Sequence, residues 1–379
     1  MQNCLDAYQT TFETFEQMHS HHQNLEKNSQ WLRCKDNSLH IAALDKTSAL
    51  YGDRTAFAEG VSNEAVEDTA DHLGLAIKVE GEWYPLRETA YKSLLDRAKI
   101  SGTSLLKLSR SDLASVLNAC LKLFPSHALV LVRDEKVSAV HSGDSVDYSV
   151  LPVDQLMDTL QTKLDTRFPG NVFEQGYANH AFSCASWRMP NQKSELLDTY
   201  AKALIASGKN IMASKLTPGI RFLTSDTGLA SAKVSALLMG GEYPIYIGSC
   251  VAVDHRHQSK VSDFEEALDQ LFAQYGETLA QLQKLMEVTL MYPVNAMTRI
   301  CKKLSMPKKV AVEAIAMYEM AYGGGPATAH DVFLAMQEIP FIMRSCNTSE
   351  SKLLALEENL ARALTLKWSE YDLPKAVSY

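Results

Sequence analysis

The stretch from residue 217 to residue 287 constrains the fold more than any other part of the chain. Three apolar runs, at residues 220–223, 233–239 and 243–253, are separated by turn residues and lead into one long helical pattern. Apolar and polar side chains alternate along these runs, which is typical of strands that bury one face. We therefore predict a β-β-β-α unit, in which a helix covers one side of an antiparallel sheet.

The helix of this unit is predicted to begin near Ser262. Ser262 and Glu265 have the spacing of a capping box, and carboxylates crowd the first turns, where the helix dipole favours them. An apolar stripe at steps of three and four predicts that the helix packs against the sheet as a two-layer core. The stripe consists of Phe264, Leu268, Leu271, Tyr275, Leu279, Leu282 and Met286.

The whole chain predicts an α+β protein with three regions. Residues 1–125 are mainly helical in pattern, with a strand pair near 77–84. Residues 126–291 form an α+β core that adds a hairpin with a charged tip at 133–136 to the β-β-β-α unit. Residues 292–379 have helical spacing throughout. A chain of 379 residues is long enough for two or three domains.

Composition favours a globular protein of the cytoplasm. Hydrophobic residues make up 46% of the chain, yet no apolar run approaches the roughly 18–20 residues that a membrane helix needs. The first residues lack the basic and apolar regions of a secretory signal. Seven cysteines are scattered without a CxxC pair, which favours reduced thiols. We therefore expect no membrane contact.

The sheet face opposite the helix is the first candidate site. Alternation along the strands places Arg221, Lys233 and Tyr246 on this face, and Arg256 continues it if the strand is regular. Cations contact phosphates, and an aromatic ring stacks on a base with about 1–3 kcal/mol per base. One interpretation is a platform for single-stranded nucleic acid. The alternative is a solvated face, or one covered by neighbouring helices.

A basic segment near residue 300 is the second candidate site. Residues 288–312 contain no Asp or Glu, although the net charge of the chain is −8. The pattern is helix, short turn, helix, with Pro307 suited to the first turn of the second helix. Phosphate contact, helix-turn-helix readout and a solvated basic face are the three interpretations, and the apolar second helix argues against readout. The cations are Arg299, Lys302, Lys303, Lys308 and Lys309.

Other motifs indicate no particular chemistry. His255 and His257 form a possible metal pair, but a third ligand at a typical spacing is missing. The glycine loop at 323–325 runs into a helix start that Thr328 and Asp331 can cap, but it lacks the lysine of a nucleotide loop. We therefore expect no metal, no cofactor and no catalytic residues.

Residues 217–228, the strand at 248–255 and the long helix resemble the phage/plasmid-like family called domain of unknown function 932. The resemblance covers about residues 80–345 and implies a bacterial mobile element, since the family occurs on phages, plasmids and integrative elements. It implies no catalytic residues. At fold level, the β-β-β-α order is similar to single-strand annealing proteins of the RecT and phage Red-beta type, which hold DNA in a basic groove.

These observations lead to three hypotheses. The first is a non-catalytic nucleic-acid-binding protein of a mobile element that binds or anneals single-stranded DNA as a homo-oligomer. The second is an interaction factor that binds and inhibits a host defence or replication protein, which the acidic balance and the long striped helix favour. The third is a nucleic-acid-processing enzyme.

Overall fold

The computed structural model describes residues 2–35, 38–123, 127–143, 146–240, 244–346, 348 and 350–379. About 51% of the chain is helical and 23% is strand, and the sheets are antiparallel, which confirms the predicted α+β class. Within these ranges no helix combines the length and the apolar character needed to cross a bilayer.

The strands are distributed over most of the chain. They are β1 (Gln9–Phe12), β2 (Ser29–Lys35), β3 (His40–Ala43), β4 (Leu75–Val79), β5 (Glu82–Pro85), β6 (His127–Arg133), β7 (Lys136–Ser142), β8 (Val172–Asn179), β9 (Ser183–Arg188), β10 (Thr217–Thr224), β11 (Ala232–Met239), β12 (Ile245–Val253), β13 (Thr289–Leu290) and β14 (Ala327–Thr328).

The helices flank the sheets and make up most of the last ninety residues. They are α1 (Phe15–Lys27), α2 (Ala49–Gly52), α3 (Asn63–Asp71), α4 (Glu88–Arg97), α5 (Arg110–Leu121), α6 (Val153–Arg167), α7 (Lys193–Ala206), α8 (Asn210–Lys215), α9 (Val261–Lys284), α10 (Pro293–Lys303), α11 (Lys308–Tyr322), α12 (Ala329–Met336), α13 (Glu338–Ser345) and α14 (Glu350–Ala361).

The central sheet has six strands in the order β1-β8-β9-β10-β11-β12 and contains the predicted β-β-β-α unit. Helix α9 lies on one face, and its apolar stripe is buried from Phe264 to Leu282. Phe264 packs on Phe222 with ring centroids 5.8 Å apart. The hydroxyl of Tyr275 donates to the carbonyl of Leu237 at 2.7 Å, which ties the helix to the sheet backbone. The predicted two-layer core is confirmed.

The start of α9 differs from the predicted capping box. The helix begins at Val261, and Lys260, which has an extended backbone, is its N-cap residue. The carboxylate of Asp263 accepts the backbone N–H of Lys260 at 2.9 Å. Asp263 therefore takes the part predicted for Glu265, because the chain turns into the helix two residues earlier than the Ser262 signal indicated.

An irregularity in β12 preserves the predicted faces. Ser235 pairs with Cys250 and Leu237 pairs with Tyr246, so four steps along β12 oppose two steps along β11. Gly248 supplies the left-handed backbone at this point, with φ +91°. Because the insertion is even, side chains on both sides of it keep the same alternation. Tyr246 therefore lies opposite the core-facing residues Ile245, Ile247, Val251 and Val253.

The region before residue 125 holds more strand than predicted. The β4–β5 hairpin is confirmed, but β1, β2 and β3 lie where mainly helix was expected. β2 pairs with β6 along its length, from Ser29 opposite Arg133 to Lys35 opposite His127. β1 pairs with β8 at the edge of the central sheet. The partners of β1 and β2 lie about a hundred or more residues away, and β3 pairs with β4 from His40 opposite Lys78 to Ala43 opposite Leu75. Such pairings are not visible in the local periodicity of the sequence.

The β6–β7 hairpin forms as predicted, but the two cations at its tip, Arg133 and Lys136, are buried. The Lys136 side chain is fully buried, and its ammonium lies 3.1 Å from Asp6 Oδ1 and 2.5 Å from Asp68 Oδ2. Arg133 forms an ion pair with Asp226 in the loop between β10 and β11. The hairpin tip is thus an internal junction between the N-terminal segment and the central sheet.

Candidate nucleic-acid interface

Helix α14 covers the sheet face that was predicted to be a platform. It packs on β12, on the side away from α9. Glu357 of α14 is buried and forms an ion pair with Arg221, and Arg344 approaches the same carboxylate at 3.5 Å. The Arg221 guanidinium also lies over the Tyr246 ring, 4.9 Å from its centroid. The charge of Arg221 is therefore satisfied inside the protein.

Lys233 is engaged in the same way, since its ammonium lies 2.9 Å from Glu358 Oε1. Arg221, Lys233 and Tyr246 are brought together, as predicted, and line one cavity of about 330 Å³ beneath α14. Burial raises the pKa of Tyr246 above its usual value, so the hydroxyl stays protonated. The geometry corresponds to the alternative interpretation, in which neighbouring helices cover this face.

Arg256 lies apart from these three residues. β12 ends at Val253, and the following segment turns away, with left-handed backbone at His257 and Gln258. Arg256 is exposed, 3.9 Å from an exposed Asp96 carboxylate, and lines a separate cavity of about 720 Å³. It does not continue the sheet face, because the strand stops three residues earlier.

The basic segment forms the predicted helix, turn and helix, as α10 and α11. Ser305 provides the break with φ +54°, and Pro307 is the residue before α11 rather than its first turn. The buried side of α11 consists of Val310, Ala311 and Ala314 together with Tyr318. The exposed side of α11 beyond the lysines carries Glu313, Glu319 and apolar residues, and the helix has no Arg, Asn or Gln, the side chains that most often read base edges. This weighs against helix-turn-helix readout.

Residues 371–379, named here the C-terminal strap, run along α10. The Asp372 carboxylate accepts the backbone N–H groups of Met291 at 2.8 Å and Tyr292 at 2.6 Å. At the other end, the Tyr379 hydroxyl donates to the carbonyl of Met306 at 2.5 Å. The strap is therefore fixed at both ends of the helix, and it satisfies donors that a helix start leaves open.

The strap also engages two of the five predicted cations. Arg299 donates to the carbonyls of Leu373 at 3.3 Å and Lys375 at 2.5 Å. Lys302 donates to the carbonyl of Ser378 at 2.5 Å and lies over the Tyr379 ring. The strap brings neutral carbonyl oxygens and no counter-charge to these two cations, but it occupies part of their hydrogen-bond donors.

Lys303, Lys308 and Lys309, named here the lysine turn, are the cations that remain open. All three side chains are exposed on either side of the α10–α11 turn. Among the described residues no carboxylate forms an ion pair with any of them, which fits the absence of Asp and Glu from residues 288–312. This is a local positive surface on a chain whose net charge is negative.

A polar network that the sequence analysis did not find lies beside the glycine loop. Thr328 and Asp331 form the predicted reciprocal cap of α12. Next to them, the buried His330 has its Nε2 2.7 Å from the Tyr200 hydroxyl and its Nδ1 3.2 Å from the Lys209 ammonium. Since an ammonium only donates, Nδ1 accepts and the proton resides on Nε2. Burial and Lys209 lower the pKa of His330 to about 4.

In the part of the chain that the structure describes, no group of three or more His, Cys, Asp or Glu side chains has the geometry of a metal site. Comparison of the chain with protein-family profiles, curated proteins and solved structures gave no match. The resemblance to the phage/plasmid-like family and the fold-level similarity to annealing proteins stay predictions.

Proposed function

We propose that this protein binds nucleic acid without catalysis, with single-stranded DNA favoured, and that the lysine turn makes the phosphate contacts. The observation that carries the proposal is the set of three exposed ammonium groups with no ion-pair partner among the described residues. Lys and Arg clusters of this kind supply most of the affinity in sequence-independent binding. A role on a bacterial mobile element, as the resemblance implies, is part of the same proposal.

The covered sheet face is less suited to this role in the described conformation. A strand that displaced Glu357 from Arg221 would break a buried ion pair, which costs about 3–5 kcal/mol when one partner is removed. A stacked base returns about 1–3 kcal/mol. The lysine turn, by contrast, needs no internal contact to be broken before it meets a phosphate.

Salt dependence gives the proposal a quantitative form. Each phosphate neutralised on a single strand contributes about −0.7 to the slope of log affinity against log salt. Three lysines therefore predict a contribution of about −2. Arg299 and Lys302 add less, because the C-terminal strap occupies some of their donors.

The test is a fluorescence anisotropy titration with single-stranded and duplex oligonucleotides from about 50 to about 200 mM salt. The variant is Lys303→Gln, Lys308→Gln and Lys309→Gln in combination. The matched control replaces Lys46, Lys202 and Lys367 by Gln, since these exposed lysines already pair with carboxylates. Both variants change the net charge by the same amount.

We expect the lysine-turn variant to lose at least about tenfold in affinity at low salt and to show a salt slope shallower by about 2, whereas the control keeps both. No binding of the unmodified protein to either oligonucleotide at about 50 mM salt would overturn the proposal. An equal loss in both variants would also overturn it, because the effect would then come from net charge alone.

One observation favours the second candidate, a protein-interaction role. Helix α11 leaves Met320 88% exposed, and Met317 and Tyr322 are exposed beside it. Neighbouring apolar side chains in contact with water are typical of protein interfaces. Light scattering tests this role for self-association. A mass above 42.0 kDa that falls to that of a monomer in Met320→Lys assigns this surface to self-association, whereas a monomer with and without single-stranded DNA contradicts self-association and leaves a host protein as the partner to be tested by pull-down.

A further inference from the structure

A polar cavity of about 720 Å³ lies where α4 and the end of β7 meet the loops at the ends of β11 and β12. Its volume falls within the range of about 300–1,000 Å³ that is typical of small-molecule sites. Lys92, Arg97, Lys99 and Arg256 line it. This cavity is separate from the one beneath α14, and none of the lysine-turn residues lines it.

One wall of the cavity is a stack of three rings. The Tyr148 ring lies between His141, with centroids 3.6 Å apart, and His255, with centroids 5.6 Å apart, and both histidine rings are within 8° of parallel to it. The Tyr148 hydroxyl donates to the carbonyl of Asp226 at 2.7 Å. Because the rings hold each other in place, this wall is formed before any ligand arrives.

Backbone hydrogen bonds hold the stack against the end of β12. The N–H of Ser149 donates to the carbonyl of His255 at 2.8 Å, and the N–H of His257 donates to the carbonyl of Val146 at 2.8 Å. A Cβ on Gly228 would lie 2.8 Å from His141 Cε1, so only glycine lets the neighbouring loop approach the rings this closely. The wall is therefore tightly constrained.

Beside this wall, His255 carries a buried acceptor that has no hydrogen-bond partner among the described residues. Its side chain is only 5% exposed, and Nδ1 lies 3.2 Å from the carbonyl of Ser149, to which it donates. The other ring nitrogen, Nε2, then carries a lone pair and can accept a hydrogen bond, but it has no partner in the described structure. A buried acceptor without a donor is costly, and a donor on a bound ligand would satisfy it.

Carboxylates also line the cavity, so it is not suited to a bare anion alone. Asp96, Asp147 and Asp254 line the same cavity as the four cations, and Asp254 already accepts a hydrogen bond from the hydroxyl of Ser231. Carboxylates accept hydrogen bonds from hydroxyl groups, while ammonium and guanidinium groups bind phosphate. The combination matches a ligand that carries both a phosphate and several hydroxyl groups.

We propose that this cavity binds a phosphate monoester on a hydroxylated carbon skeleton, as found in nucleotides and sugar phosphates. Lys92, Lys99 and Arg256 meet the phosphate. His255 Nε2 and the aspartates accept from hydroxyl or amino groups of the ligand. The ring stack supplies a rigid, preformed wall beside the skeleton.

The test is isothermal titration calorimetry of the full chain with four probes: AMP, ribose 5-phosphate, adenosine and inorganic phosphate. We expect AMP or ribose 5-phosphate to bind with a Kd below about 1 mM, and adenosine and inorganic phosphate to bind at least tenfold more weakly. A preference for AMP over ribose 5-phosphate identifies a nucleotide, and the reverse identifies a sugar phosphate. A 5′-phosphorylated oligonucleotide that displaces AMP indicates that the monoester is the end of a strand.

The variant Lys92→Ala with Arg256→Ala removes two exposed cations from the cavity and should weaken the bound monoester at least about tenfold. The variant His255→Phe keeps a stacking ring but removes both the Nε2 acceptor and the Nδ1 hydrogen bond to Ser149. It should weaken monoester binding, and thermal unfolding without ligand measures the loss of the internal hydrogen bond separately. Lys303→Ala with Lys308→Ala, which removes equal charge from the lysine turn, should leave monoester binding unchanged. That control separates this site from the proposed nucleic-acid contact.

Failure of both phosphate monoesters to bind below about 1 mM would overturn the proposal. So would adenosine binding as tightly as AMP, since the phosphate would then contribute nothing. An equal loss of monoester affinity in the lysine-turn control would overturn it too.

Discussion

The sheet face beneath α14 and the lysine turn are both basic in sequence, but they differ in what lies within reach. Arg221 and Lys233 meet Glu357 and Glu358, which follow them by 136 and 125 positions. Lys303, Lys308 and Lys309 meet no carboxylate among the described residues. Whether a cation is available to a ligand thus depends on carboxylates that are distant in the chain. The local sequence shows only how many cations a segment contains.

The variant Glu357→Gln tests the contrast between the two regions with the largest expected effect. Removing the carboxylate leaves the buried guanidinium of Arg221 without its counter-charge, so the free energy of unfolding should fall by about 3–5 kcal/mol. Chemical denaturation measures this loss. The matched control, Glu358→Gln, breaks the more exposed pair with Lys233 and should cost less than about 1 kcal/mol. Equal losses in the two variants would show that burial does not separate them.

Acid should weaken the interior before it affects the exposed lysines. Burial and His21 lower the pKa of His22 to about 3, so His22 is neutral in the folded protein at pH values where the unfolded chain, with a pKa of about 6.5, is protonated. Its contribution to stability is present above about pH 6.5 and is lost as the pH falls towards 3.

As the pH falls, the free energy of unfolding of the unmodified protein should therefore decrease by up to about 1.4 kcal/mol per pH unit because of this histidine alone. Denaturation curves at several pH values between about 6.5 and 4 measure the slope, and His22→Leu should make it shallower by that amount. An unchanged slope in the variant would mean that His22 is protonated in the fold.

The C-terminal strap gives a smaller effect that links the two regions. Asp372→Ala removes the acceptor of two N–H groups at the start of α10, which should lower the free energy of unfolding by about 1 kcal/mol. Loosening the strap also frees Arg299 and Lys302, so the salt slope of single-stranded DNA binding should steepen by up to about 1.4. Weaker DNA binding by the variant would contradict a strap that competes for these cations.

The smallest effect is expected for Arg256→Ala. Its pairing with Asp96 is long and both groups are exposed, so the free energy of unfolding should change by less than about 0.5 kcal/mol. Thermal unfolding without ligand measures this. A larger loss would place Arg256 with Arg221 among the structural charges rather than among those open to a ligand.

The parts that sequence predicted well are those whose signal is local. The stripe from Phe264 to Leu282 determines how α9 packs, and the alternation in β12 persists across the irregularity at Gly248. The reciprocal cap of Thr328 and Asp331 needs only four residues. In each case the residues that form the contact are close in the chain or repeat at a fixed period.

The candidate site was harder, because its character depends on contacts between distant residues. In the sequence, Arg133 and Lys136 resemble the solvated tip of a hairpin. In the structure both are buried and form ion pairs with Asp226 and Asp68. The same applies to Arg221 under Glu357. Periodicity in the sequence does not show which cation will pair with a carboxylate more than sixty positions away. The sequence therefore located the basic residues but did not show which of them remain without an ion-pair partner.

The strap has a consequence for how sequences of this kind can diverge. Arg299 and Lys302 bind it through the carbonyl oxygens of residues 373, 375 and 378, which every amino acid provides. Those three positions are therefore free to vary without loss of the contact. Asp372 and Tyr379 act through their side chains and are not free. Among related chains, we therefore expect the residues at positions 372 and 379 to be conserved, and the segment between them to vary in sequence but not in length.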